Sequence, residues 1–212
     1  MTGELLTAEM VRESVLRVAH RAEVYADELN ALDGALGDGD LGVTLTRGFR
    51  AVTEQLADLW SSDIGVLLEA AARAFVSTSG STFGTLLATG LLSAAKSTQG
   101  RDAVPWSELP GLLSSAGAAM AKRGKAEVGD KTVLDMIDAV SAAMAGIGEP
   151  RAMLATADQA ASEALERFRD RPCRQGRARI FGENSIGRDD PGMVAFKRML
   201  ESLDRKADQG AV

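Results

Sequence analysis

Only one cysteine, Cys173, occurs in the 212 residues. No intrachain disulfide can form, and a reducing compartment is consistent with that. Histidine is as scarce, with His20 alone, so neither residue type can build a zinc-like site. Long apolar runs are missing too. None approaches the roughly 20 residues that span a bilayer, and the opening MTGELLTAEMVRESV mixes acidic and basic groups without an apolar signal core. A cytoplasmic protein with no membrane partner is expected. Positive charge is not in excess either: the formal net charge is -6, which argues against nucleic acid, whose phosphates require a basic face. An anionic ligand would have to be held locally, by metal, helix ends and a few Arg or Lys. Finally, no convincing run of strict apolar-polar alternation appears, which removes the usual signal for strands.

What is present is helical periodicity throughout. Hydrophobic content of 45% and charged content of 25% are those of an ordinary globular chain, and residues 1–212 are expected to form a single domain. Val11, Val15, Val18, Ala22, Tyr25 and Leu29 lay one stripe along a first helix of about six turns. Further stripes start at Leu45, Ile64, Phe83, Leu109, Val133, Leu154 and Phe196. The spacing predicts an all-α fold of eight helices, packed as an antiparallel up-and-down barrel or bundle because the connections are mostly short. In such an arrangement the segments before the second, fourth, sixth and eighth helices share one rim. Every glycine-rich polar segment of note falls there.

The first of these segments holds Asp33, Asp38 and Asp40, interrupted by Gly37, Gly39 and Gly42. Carboxylates so close repel unless a cation lies between them, and the glycines supply the backbone freedom to aim them at one point. Hard oxygen donors suit Mg²⁺ or Ca²⁺. An EF-hand fails, since counting from Asp38 puts Phe49, and from Asp33 puts Thr44, where the bidentate Glu belongs. Mg²⁺ is the reading, and with it a phosphorylated ligand, because Mg²⁺ usually completes its shell with waters and substrate phosphates. A solvated acidic turn is the alternative.

The second segment, Ser77 to Gly84, opens a helix with small polar residues, fit equally for an anion or for capping. The third, Gly124 to Thr132, nearly spells a P-loop, but Asp130 stands where the Walker lysine would follow the glycine and no strand precedes it. It survives as a glycine-rich turn onto a helix, with Lys125 and Lys131 able to reach phosphate as point charges, or as a plain cap. The fourth, Gly176 to Gly192, is long and weakly periodic, with Arg177 and Arg179 as phosphate or acidic-partner ligands and Asp190 and Pro191 suited to start a helix. A surface loop is its bland reading.

Taken together, LNALDGALGDGDLG, STSGSTFGT, GKAEVGDKTVLD and GRARIFGENSIGRDDPG resemble, in order and separation, the L subunit of bacterial dihydroxyacetone kinases, which also forms the nucleotide-binding domain of single-chain enzymes. The resemblance covers residues near 30 to 192. It implies an eight-helix antiparallel barrel with ADP or ATP on its rim and two Mg²⁺ ions held by Asp33, Asp38 and Asp40. It places Leu41, Gly42, Val43 and Thr44 beside the nucleotide and Thr78 and Ser79 on its phosphates. Gly124 and Val133 would flank adenine and ribose, and Arg177, Asp190, Pro191 and Gly192 would complete the pocket. The aspartates are ligands in this scheme, with no side chain acting as acid or base. The acceptor would be a hydroxyl of dihydroxyacetone or a related ketose, tethered to a histidine of a separate K subunit; His20 lies off the apolar stripe and reads as a surface residue. The chain departs from the family at Leu41, at Ser77 to Ser81 and at Arg188, sparing the carboxylates. Either exchanging ATP or a resident ADP rephosphorylated by a phosphoprotein of the sugar phosphotransferase system fits, and so does a homodimer. The competing readings are an L-type subunit of a tetrose or erythrulose kinase, and a lipid-binding helical barrel like that of fatty-acid kinases.

Overall fold

The computed structural model describes residues 4–78 and 80–204. Among them are nine α-helices: α1 (Ala8–Ala22), α2 (Ala26–Leu36), α3 (Leu41–Ala57), α4 (Ile64–Thr78), α5 (Thr82–Thr98), α6 (Leu109–Gly124), α7 (Val133–Met144), α8 (Pro150–Arg169) and α9 (Pro191–Glu201). Two short strands, β1 (Leu5–Thr7) and β2 (Ala103–Pro105), pair antiparallel with Leu6 opposite Val104. From α3 to α8 each helix packs on the next, while α9 packs on α7 and α8 and closes the ring against α2. The all-α up-and-down arrangement read from periodicity is the observed one.

One expected helix is two. The stripe Val11 to Leu29 continues in phase, but the backbone turns at residues 23–25, where the amides of Glu23 and Val24 both fold back on the Arg21 carbonyl. Tyr25 sits in the bend. Its hydroxyl accepts from the Arg21 guanidinium, and Arg198 of α9 lies 5.6 Å from its ring centroid. Arg198 also pairs with Glu28 of α2 and Glu201 of its own helix, so polar contacts on the outer side fix the angle between α1 and α2.

The interior is filled by the predicted stripes. Val52, Phe75, Ala72 and Leu56 sit at the centre of one cluster, with Phe49 and Phe75 edge to face at 4.9 Å. Met136, Val140, Met153, Ala161 and Met193 form a second between α7, α8 and α9. Small residues set the spacing between helices. A Cβ on Gly48 would stand 2.1 Å from the Phe75 ring, and one on Gly42 would stand 2.0 Å from the Ala26 carbonyl oxygen, so α3 meets α2 and α4 with backbone close to its neighbours. No helix among the described residues is long and apolar enough to cross a membrane. His20 is exposed.

Candidate functional site

Asp33 is not in a loop. α2 runs on to Leu36, which puts Asp33 in its last turn, and the connection to α3 is only Gly37 to Asp40. Two glycines let that tight turn fold back on the helix. Gly39 has φ +77°, and a Cβ on Gly37 would lie 2.6 Å from Asp33 Oδ1. The Asp40 amide donates to Asp33 Oδ2 at 3.0 Å, and the Val43 amide to Asn30 Oδ1 at 3.2 Å. As a result Asp33, Asp38 and Asp40 each turn a carboxylate oxygen to one place, all within 4.8 Å of one another, with Asp33 half-buried and the other two exposed. Three like charges in that space call for a cation. One is already drawn in: the Arg177 guanidinium, from the far end of the sequence, lies in direct contact with Asp38 Oδ2. The donor set is all carboxylate oxygen, hard and anionic, and fits Mg²⁺.

The four rim segments are tied together by contacts. Beyond the Arg177–Asp38 pair, Ala178, Phe181 and Cys173 pack on Leu36 at the end of α2. The Arg174 amide donates to the Asp130 carbonyl at 3.0 Å, and Gln175 Nε2 to the Lys125 carbonyl at 3.1 Å. Phe83 and Leu86 of α5 reach across to the ends of other helices, where a Cβ on Gly192 would come within 3.2 Å of Phe83 and one on Gly124 within 3.2 Å of Leu86. Phe83, Leu86, Val133 and Phe196 belong to one apolar group. The sequence reading placed Phe83 on a helix stripe and did not single out Leu86; their place beside Gly124, Val133 and Gly192 marks them as an apolar wall of the rim.

The remaining predicted residues fall as follows. Leu41 is buried in the core, and Gly42 is the close approach to Ala26; Val43 is exposed, and the Thr44 amide is bonded to the Asp40 carbonyl at 2.8 Å. Leu41 and Gly42 thus offer a ligand backbone rather than side chains. The Thr78 hydroxyl donates to the Ala74 carbonyl at 2.9 Å, within α4. Ser79 lies outside the described residues. Ser81 caps α5, accepting from the Gly84 amide at 3.0 Å. Asp190 caps α9, accepting from the Met193 amide at 2.9 Å, with Pro191 as the first helical residue. Burial pushes the Asp190 carboxyl up to about 6, against the amides of Met193 and Gly192 and the charge of Lys131.

Lys131 is not free to meet phosphate. Its side chain is 1% exposed, and the ammonium donates to three backbone carbonyls. Beside it, Asp135 was missed as a builder of the rim. Its carboxylate accepts from the Gly129 amide at 2.5 Å and the Thr132 amide at 2.7 Å, forming with Thr132 the capping box of α7. Burial raises its carboxyl above the ordinary range, in spite of those two amides. The Thr-x-x-Asp spacing at 132–135 was the available signal.

The solved dihydroxyacetone kinase of C. freundii in complex with AMP-PNP and Mg²⁺ shares this fold, with a TM-score of 0.73 and 22% identity over 95% of this chain and 34% of that one. Among curated proteins, the ADP-binding subunit DhaL of the PEP-dependent dihydroxyacetone kinase of Escherichia coli K12 is 33% identical over 182 residues, covering 84% of this chain and 87% of the relative. The L-erythrulose 1-kinase of Mycolicibacterium smegmatis is 29% identical over 202 residues, 92% of this chain and 35% of that protein. The DAK2 domain matches residues 35–205, a span that takes in all of the rim segments but Asp33 and Gly34. By that match and by the relative it parallels almost end to end, the chain belongs to the DAK2 domain family.

Proposed function

We propose that this protein is the nucleotide-binding subunit of a short-ketose kinase, a single module that carries ADP or ATP with Mg²⁺ on its rim and passes a phosphoryl group to a hydroxyl of dihydroxyacetone or a close relative held on a separate subunit. The convergence of the Asp33, Asp38 and Asp40 oxygens within 4.8 Å is the observation that carries this reading. The names of the relatives supply the reaction class: subunits of dihydroxyacetone kinases on one side, an erythrulose kinase on the other.

Asp33, Asp38 and Asp40 would hold the metal, two ions being the number the resemblance implies. Bound there, Mg²⁺ supplies charge neutralisation for the β- and γ-phosphate oxygens. The chain's own contribution is positioning. Arg177, already at Asp38, would offer phosphates held at that cluster a planar pair of donors. The N-termini of α3 and α5 point a positive dipole end at the rim, which favours phosphate over a neutral group. Phe83, Leu86 and Val133, with Gly124 packed closely on Leu86 and Gly192 on Phe83, form the apolar surface suited to adenine. No acid or base is needed, because a loose phosphoryl-transfer transition state asks mainly for orientation and charge stabilisation.

A resident ADP recharged by a phosphoprotein is favoured over exchanging ATP by one comparison. The relatives matched over most of their length are ADP-binding subunits of PEP- or phosphotransferase-system-dependent kinases, whereas the L-erythrulose 1-kinase is matched over about a third of its length. Calorimetry with Mg·ADP on the wild type and on Asp38→Ala tests the site. Binding that requires Mg²⁺ and disappears in the variant is expected; equal binding by the variant removes the metal assignment. ADP that stays with the protein through dialysis marks the resident mode, and rapid loss the exchanging one.

A further inference from the structure

The lysine of the near-P-loop points the wrong way for its textual role. Lys131 Nζ donates to the carbonyl oxygens of Arg169 at 3.0 Å, Arg171 at 2.8 Å and Ser185 at 3.0 Å. An ammonium has three protons, and all three are taken. The acceptors stand at the two ends of one segment. Arg169 and Arg171 mark the end of α8, Ser185 closes the 3₁₀ segment Arg177–Ser185, and Arg177 lies between. The backbone of Lys131 is itself left-handed, φ +62°, a region disfavoured for a side-chain-bearing residue and held only where surroundings enforce it.

Weaker bonds close the same neck. The Cys173 amide donates to Ser185 Oγ at 2.8 Å, which donates on to the Gly182 carbonyl at 2.5 Å, and the Gly187 amide donates to the Arg169 carbonyl at 2.9 Å. Past the neck on one side stands Arg177 against Asp38. Past it on the other is Asp190, the cap of α9. Fixing the neck therefore fixes the guanidinium nearest the carboxylate cluster.

We propose that Lys131 is a positioning residue for phosphate binding: it clamps the neck of the 172–184 loop so that Arg177 is presented to the cluster of Asp33, Asp38 and Asp40, and it does not touch phosphate itself. The inference rests on the nucleotide reading of the rim. A clamp that acts through Arg177 makes a demand that a merely stabilising lysine does not. Once Arg177 is gone, losing the clamp has nothing further to take away from ligand binding.

The experiment compares Lys131→Met, Arg177→Gln and the double variant in the full chain, with Mg·ADP affinity by calorimetry and tryptic cleavage after Arg174, Arg177 and Arg179 in the absence of nucleotide. Lys131→Met is expected to weaken Mg·ADP about tenfold, the scale of one lost charge-assisted hydrogen bond. It should also speed cleavage in the loop while circular dichroism stays helical. The double variant should bind no worse than Arg177→Gln alone. Losses that multiply, or a loop cut no faster than in the wild type, would overturn the proposal. Should Lys131→Met fail to fold, Ser185→Ala keeps the lysine and loosens the neck; it must weaken Mg·ADP in the wild-type background and not in the Arg177→Gln background, and equal losses in both would overturn the clamp. A wild type without Mg·ADP affinity would overturn the rim reading and the positioning role with it, whereas normal wild-type affinity with multiplying losses would overturn the positioning role alone.

Discussion

The two ends of the barrel use the same residue type in opposite ways. At the far end, Asp63 precedes α4 and spends both carboxylate oxygens on backbone amides: Oδ1 accepts from Gly65 at 2.7 Å and Val66 at 3.3 Å, Oδ2 from Gly100 at 2.8 Å. Arg12 there donates to the carbonyls of Leu56 and Leu59, and Arg101 forks onto Glu108. These charges are answered within the fold. At the rim, Asp33 accepts one amide, Asp38 meets a guanidinium from a distant loop, and the three carboxylates crowd one another. Local capping explains an acidic loop whose oxygens are aimed at amides; it does not explain one whose oxygens are aimed at each other. Their mutual repulsion is a standing destabilisation that a ligand can relieve.

The contrast breaks most visibly at Asp40. Asp40→Asn removes one charge from the cluster and no capping bond of its side chain. It should weaken Mg·ADP by more than about a hundredfold, or roughly 2.7 kcal/mol, since loss of even an outer partner of a metal site takes 10- to 100-fold. Without ligand, its urea midpoint should equal or slightly exceed that of the wild type. A variant that binds normally, or that unfolds earlier without ligand, would make the rim aspartates structural like Asp63. Gly42→Ala comes next. Its Cβ would stand 2.0 Å from a backbone oxygen of α2, so the helices must part, at a cost of about 1 to 3 kcal/mol on the usual scale of overpacking; thermal unfolding measures it. Asp63→Ala should lower stability by about 0.5 to 2 kcal/mol, as loss of a cap does, and leave Mg·ADP affinity unchanged. An affinity change there would join the two ends.

These differences were unevenly visible in the chain's text. The stripes gave every helix from α3 to α9, because a residue at Leu45 or Val133 must face the core whatever surrounds it. The bend at 23–25 was hidden, since Tyr25 and Leu29 stay in phase with Val18 and the turn comes from hydrogen bonding and Arg contacts off the stripe. The three-residue strands are too short to show alternation. Asp33, Asp38 and Asp40 were legible as a cluster because few residues separate them. The contact of Arg177 with Asp38 was not, as it depends on how a long loop is tethered. Lys131 was misread for a similar reason: a left-handed backbone at a non-glycine position, φ +62°, leaves no mark in sequence and turned the side chain inward.

The remaining test sits between the two regimes, at Asp190, which caps a helix as Asp63 does yet lies on the rim. Burial holds its carboxyl near 6 in the folded protein, above the ordinary carboxylate value of about 3.9. The folded state therefore binds the proton more tightly than the unfolded state. This group's stabilising contribution is full below about pH 3.9 and is lost as pH rises through 6. Asp190→Asn retains a capping oxygen for the Met193 amide and cannot ionise. Urea unfolding at several pH values from 4 to 7, without nucleotide, should show wild type losing ground to the variant as pH increases across that window, with the difference flat above it. A constant difference would mean that Asp190 ionises as freely as an ordinary surface cap. Its place on the rim would then owe nothing to desolvation, and the far end's rule, in which an aspartate spends its charge on amides, would hold there too.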